Sequence, residues 1–559
     1  MKPVLLASAV AFPSVVYGAN CDFEPIALPV TDVQVLPDVE GSLMRGIPAN
    51  IGSSNQSIVM LPWAELNNTF IYDQQSFCDK TIIWNDKICE VRRGGLYDEG
   101  DSESYDQEKD ITSAGGASEE LALEGVEKGI KKLLSTSLGA LESLTLDGAD
   151  SLNGFPIGVP RFRWDYGYTF LHSLGMGSNS TYLNALHDAG RIGARVWSIF
   201  WGRMWIDEPL DGSVVIGGYN SDKVIGDNYT RPLDYTDFGG SGCWTGMKVI
   251  VRDIQINNRD GSDRSLFPPN TALPFCIVPQ RQLLMEAPGD LLSQFEAETG
   301  TNYTAESFGL HWSAKVYDKD NYYDGDMTFY LDSGLEIRVP NSQFMTPFVD
   351  VDRSGKRVVD KSKREFLMNA LSDQPATLGR YFLTAAYLMV NHDANSFTLW
   401  QANPTTSSNL VPVHDEESAS ECSGDVPGLI QPSITPTDTP QEDTDKSGDG
   451  DNSDSNGDEE VSPAVIGGAV GGGVGSLAIA AGTAAFLLVR RRRKQRENQV
   501  ANDTELPPSY PHNEDKYPHI YSPRWGVQEV AGSEAYMHEV AGSEGQRFEL
   551  DAGEYHRRG

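Results

Sequence analysis

A carboxylate can act as a general base where geometry brings it to the proton it must take. Hydrolysis of a peptide bond by carboxylates needs two of them, close enough to share one proton and hold one water. One Asp-Ser-Gly, Asp332-Ser333-Gly334, lies between two β-type runs in Phe329-Tyr-Leu-Asp-Ser-Gly-Leu-Glu-Ile-Arg-Val-Pro340, a placement that reads as an ordinary turn and not a catalytic one. Other hydrolytic chemistries find less. The nine histidines show no His-x-x-x-His spacing, so no metal site is expected, and no Gly-x-Ser-x-Gly elbow stands in a strand-to-helix context. No cofactor is expected either.

Three further residue sets carry chemistry. The six cysteines Cys21, Cys78, Cys89, Cys243, Cys276 and Cys422 can form disulfides. The local pairs Cys78 with Cys89 and Cys243 with Cys276 are preferred. Cys21 and Cys422 would then tie together the two ends of a folded domain, but six cysteines permit fifteen connectivities and the pairing stays open. Asn55, Asn67, Asn179, Asn228 and Asn302 begin Asn-x-Ser/Thr acceptors for glycan; Asn502 fits the same pattern but falls on the side expected to be cytoplasmic, where no glycan is predicted. Pro507-Pro508-Ser509-Tyr510 has the form of a Pro-Pro-x-Tyr ligand for WW domains, whose aromatic groove takes a preformed polyproline II turn.

These groups need elements to hold them. Lys2, an apolar run and the small residues Gly18 and Ala19 give residues 1–19 the layout of a secretory signal peptide. Residues 464–489 contain no charged residue. At about 1.5 Å rise per residue they exceed the roughly 30 Å hydrocarbon core, so a transmembrane helix is expected. Arg490, Arg491, Arg492, Arg493 and Lys494 follow, placing residues 490–559 in the cytoplasm and the larger amino-terminal part outside or in a lumen. The expected site is the plasma membrane or a secretory or endosomal membrane, in single-pass type I orientation. Residues 417–463 are rich in Pro, Thr, Ser, Asp and Gly with few large apolar side chains, which predicts a disordered acidic stalk. The net charge of -36 excludes nucleic acid as a natural partner, because phosphate binding needs a basic footprint.

Residues 20–416 alternate short β-branched and aromatic runs with Gly, Pro, Asn and Asp, as in Ser213-Val-Val-Ile216 and Met247-Lys-Val-Ile-Val251. That reads as mainly β. A span of about 400 residues exceeds one ordinary core, so two lobes are expected, with a boundary near 220–235. Apolar residues at three and four spacing predict helices over 119–144 and 291–299.

Several segments, taken in order, resemble the pepsin family of aspartic proteases. Ile51-Gly-Ser-Ser-Asn-Gln56 is similar to the family's Ile-Gly-Thr-Pro-x-Gln turn. Gly94-Gly-Leu-Tyr97 with Ser102-Glu-Ser-Tyr105 resembles the segment after the first disulfide loop, and Leu174-Gly-Met-Gly177 its Leu-Gly-Leu-Gly element. Ser198-Ile-Phe200 with Gly212-Ser-Val-Val-Ile-Gly-Gly-Tyr219 resembles the crossing between lobes. Ile337-Arg-Val-Pro340, Leu378-Gly-Arg-Tyr-Phe-Leu383, Tyr387, Asn391 and Phe397 resemble the closing strands. The preferred cysteine pairs also match, one local loop in each lobe. The stalk, glycine-rich span and arginine stop resemble membrane-anchored members from filamentous fungi. The resemblance implies a two-lobed pepsin-like (peptidase A1) fold.

It also implies a catalytic Asp in each lobe, and neither is present. Counting from Ile51-Gly52, the first Asp-Thr-Gly falls at Trp63-Ala64-Glu65, where Glu65 is the nearest carboxylate, two positions off. The second falls in Phe275-Cys-Ile-Val-Pro-Gln-Arg281, around Val278 and Pro279. No Asp or Glu occurs from Arg264 to Met285. The flap tyrosine motif is missing where Ile111-Thr-Ser-Ala-Gly115 stands. The expectation is therefore a catalytically dead pseudoprotease acting as a binding or receptor-like module, whose inter-lobe cleft takes extended peptide. Its span sits in membrane lipid, and its tail recruits a WW-domain ubiquitin ligase. The alternative is an active membrane-anchored aspartic endopeptidase.

Overall fold

The computed structural model describes residues 23–75, 85–118, 136–161, 171–235, 243–371 and 375–415, together with Cys78, Ile83 and Ser418. The signal-type residues 1–19, Cys21, Cys422, Asn502, the span at 464–489, the tail with Pro507, Pro508 and Tyr510, and all of 417–463 except Ser418 lie outside the described residues. Among the described residues no helix is long and apolar enough to cross a membrane.

The described chain is mainly β. Strand Val196–Arg203, Val-Trp-Ser-Ile-Phe-Trp-Gly-Arg, is buried along almost its whole length, as a strand covered on both faces must be. It lies in a thirteen-stranded sheet between Leu210–Ile216 and Ala386–Asn391, pairing Ile199 with Val214 on one side and Leu388 on the other. Ile26–Gln34 adds beyond Leu210–Ile216, with Ile26 opposite Ile216. The first and last long strands of the described chain thus enter one sheet. An eight-stranded sheet is built from residues of the second half, including Lys248–Asn257, Leu273–Ile277 and Ala376–Leu378.

One arrangement occurs twice. Gln56–Trp63 runs parallel to His172–Gly175, with Trp63 opposite Gly175, and after a short loop Thr69–Phe70 pairs with the other edge of the same strand. Leu273–Ile277 likewise runs parallel to Ala376–Leu378, and after a loop Met285–Pro288 pairs antiparallel with that strand. Backbone bonds inside the two loops also correspond: Leu66 donates to Trp63 O (3.3 Å) and Arg281 to Val278 O (3.0 Å). Gly177 then donates to Leu66 O (2.8 Å), and Arg380 to Arg281 O (2.9 Å). Each arrangement needs a glycine where loop backbone crosses: a Cβ on Gly175 would stand 2.5 Å from Asn68 O, and one on Gly379 2.3 Å from Leu283 O.

Helix Gly289–Thr299 forms where the apolar spacing predicts one. The helix expected over 119–144 does not extend to its end, because Ser137–Leu146 is a strand paired with Leu152–Pro160, and 119–135 lie outside the described residues. Ala140, Leu144 and Leu146 point inward at even spacing, and an apolar partner strand across the Asp147-Gly148 turn rewards period two over period three and a half. Disulfides join Cys78 to Cys89 (Cα–Cα 5.7 Å) and Cys243 to Cys276 (5.3 Å).

Candidate functional site

The two loops meet at Glu65. Trp63, Ala64 and Leu66 are buried around it in the first loop, and Val278, Pro279 and Gln280 are buried in the second. Burial raises the Glu65 pKa, opposed by the charge of Arg281 and the amide of Gln280, with Glu286 adding to the rise. Gln280 and Arg281 of the second loop thus lie within electrostatic reach of Glu65. Its Oε1, and both amide atoms of Gln280, are sealed from solvent without a partner at hydrogen-bonding geometry. Glu286 is engaged elsewhere, 3.7 Å from Arg281 Nε and accepting from Thr377 Oγ1 at 3.2 Å.

Chemically this set holds one enclosed carboxyl, one amide and one ion pair. Trp63 and Val278, at corresponding places in the two loops, offer no proton acceptor. Two carboxylates sharing a proton around an accessible water are not the arrangement here. Asp332-Ser333-Gly334 forms the hairpin turn between Asp326–Leu331 and Glu336–Val339, where Asp332 Oδ2 accepts from Arg231 at 2.8 Å. Among the described residues no three His, Cys, Asp or Glu side chains gather as a metal site would require.

Of the glycan acceptors, Asn55, Asn228 and Asn302 are exposed and Asn179 is half-buried. Asn67 is only 6% exposed, and its Oδ1 accepts from the Asn179 backbone at 2.9 Å. Two histidines are structural. His172 takes a hydrogen bond from Tyr72 N–H at 2.9 Å, leaving its other nitrogen to donate to Gly95 O, and burial lowers its pKa to about 3. His392 lies 3.0 Å from Met176 O, and burial lowers it to about 4.

Beside the second loop lies a small, solvent-open pocket of about 50 Å³ that sequence spacing does not announce. Arg45 comes from strand Leu43–Ile51, His311 from a loop, Arg357 from the start of Arg357–Phe366, and Arg380 from just after Ala376–Leu378. Arg357 grips Asp32 with two bonds, at 2.8 and 2.6 Å. Burial works to raise the Asp32 pKa, but the bond and charge of Arg357, with the charge of Arg45, hold it below the usual value. Arg45 donates to Trp201 O and Leu210 O and makes a longer 3.5 Å contact with the largely exposed Asp211. Arg380 donates to the backbone oxygens of Arg281 and Gln280, both at 3.3 Å, and lies over Trp201. His311 is held between Glu365 and the Tyr381 hydroxyl, each at 2.6 Å. The one sequence signal touching this pocket is Leu378-Gly-Arg-Tyr-Phe-Leu383, which contains Arg380 and Tyr381.

No protein-family model matches the chain, and no curated protein matches it.

Proposed function

We propose that the chain is a membrane-anchored glycoprotein whose outer part has the two-lobed pepsin-like architecture and binds without cutting. The observation that carries this reading is the pair of corresponding loops, with Trp63 and Val278 at matching positions, which the resemblance aligns with the family's two catalytic aspartates. The only carboxyl from the first loop, Glu65, is enclosed, and the nearest carboxylate from the second, Glu286, is engaged by Arg281. A dyad works because two like charges cannot both ionise at short range, which leaves one acid and one base around a water. A lone enclosed carboxyl cannot divide those roles.

The duplicated strand-loop-strand arrangement, one in each half, supports the two-lobed reading, as do the two disulfides, one per half. The strands around such a cleft are also its core, so binding outlives catalysis, and extended peptide is the natural occupant. Residues 464–489 anchor the molecule in a plasma, secretory or endosomal membrane, and Pro507, Pro508 and Tyr510 offer a WW-domain ubiquitin ligase its ligand.

The test is peptide hydrolysis by the folded, full-length chain between pH 3 and 7, with and without pepstatin, its fold followed by circular dichroism. The expected result is no pepstatin-sensitive cleavage at any pH where the fold persists. Pepstatin-sensitive turnover would establish the active endopeptidase instead.

A further inference from the structure

We propose that the pocket walled by Arg45, Arg357, Arg380, Trp201, Trp205 and Met204 is a binding site for an organic carboxylate, a small molecule carrying one carboxylate on an apolar body. Three guanidinium groups converge there. Arg357 is satisfied by Asp32, and Arg45 mostly by backbone oxygens. Arg380 is different. It is 8% exposed, it bonds only to two backbone oxygens and the face of Trp201, and no carboxylate pairs with it among the described residues. A buried cation without a counter-charge is destabilised by desolvation, and an arriving anion offsets that cost.

The chemistry of the walls narrows the anion. A planar guanidinium matches a carboxylate with two parallel bonds. Trp201, Trp205 and Met204 beside it give an apolar body something to cover, which inorganic phosphate does not have. His311 has both ring nitrogens engaged, by Glu365 and Tyr381, so it forms wall rather than a free donor. The site stands on these side chains alone and does not depend on whether the two loops catalyse.

Binding would also reach the loop above. Arg380 holds the backbone oxygens of Gln280 and Arg281, the residues that face Glu65, so a ligand on its guanidinium pulls on the same group that fixes that loop.

The experiment is calorimetric titration of the full-length chain in detergent with phenylacetate, phenylacetamide and inorganic phosphate. The expected result is phenylacetate binding at least about ten-fold tighter than the amide, the scale of one charge-assisted hydrogen bond, and tighter than phosphate. Arg380→Gln should abolish that preference, while Arg338→Gln, at an exposed ion pair with Asp326, should keep it. Should Arg380→Gln fail to fold, Leu310→Trp fills the pocket with every guanidinium in place and must also abolish phenylacetate binding. Equal binding of acid and amide, phosphate binding as tight as phenylacetate, or unchanged binding in Leu310→Trp would each overturn the proposal.

Discussion

Glu65 shows how burial turns a side chain into a pH-dependent term. Its folded pKa is raised above the ordinary 4.5, so the unfolded chain releases the proton first as pH rises, and ionisation then favours unfolding. The stability tied to its protonated form is present below about pH 4.5 and lost above it. Glu65→Gln should therefore raise the urea midpoint at pH 7.5 and leave it nearly unchanged at pH 4, while peptide hydrolysis stays at background. A drop in stability at pH 7.5 would mean the carboxylate is held there as an ion by Arg281. Asn67 gives a second residue-scale expectation. With the Asn67 amide packed against the Asn179 backbone, glycopeptide mapping of the chain expressed through a eukaryotic secretory pathway should find sugar at Asn55, Asn228 and Asn302 and none at Asn67. Occupancy at Asn67 would require this corner to open.

The strand-loop-strand arrangements depend on backbone passing backbone. Gly379→Ala puts a methyl 2.3 Å from Leu283 O, and relieving that overlap should cost about 3 kcal/mol, read as a lower denaturant midpoint. Gly289→Ala, whose nearest neighbour is the Ala370 side chain at 3.9 Å, is the control and should be neutral or slightly stabilising. Losing the Cys243–Cys276 link through a paired serine substitution should cost about 2–5 kcal/mol. At this scale the sequence was most readable where one force dominates. Leu210–Ile216 and Lys248–Asn257 are β-branched, and Gly289–Thr299 has clean helical spacing with Gly300 at its end. Ser137–Leu146 misleads because Glu142 sits at an inward position, bonded to the Tyr97 and Ser104 hydroxyls, which breaks the period-two pattern. Of the motifs singled out in the sequence, Leu174-Gly175 lies on the strand beside the first loop and Leu378 on the strand beside the second. The arginine pocket was not legible, since Arg45, His311, Arg357 and Arg380 become neighbours only through the fold, and each alone reads as a surface charge.

For the molecule as a whole, His172 and His392 set a common acid limit. Both are lowered, to about 3 and about 4, so the unfolded chain takes their protons near pH 6.5 while the folded chain refuses them. Their contribution is complete above about pH 6.5 and falls away as pH drops towards 4. These two rings oppose the trend set by Glu65, so the clean readout is a difference: His172→Gln should lower the unfolding temperature at pH 7 more than at pH 4. An equal loss at both pH values would contradict the burial of its ring. The thirteen-stranded sheet has a consequence in time. Val196–Arg203, with Trp197, Ile199, Phe200 and Trp201, is synthesised long before Ala386–Asn391, the strand that covers one of its edges. Until translation reaches that point, an apolar strand edge stands open to any other chain with a free edge. That edge therefore stays uncovered while residues 204–385 are made, and a product truncated before residue 386 should aggregate more readily than the full-length chain.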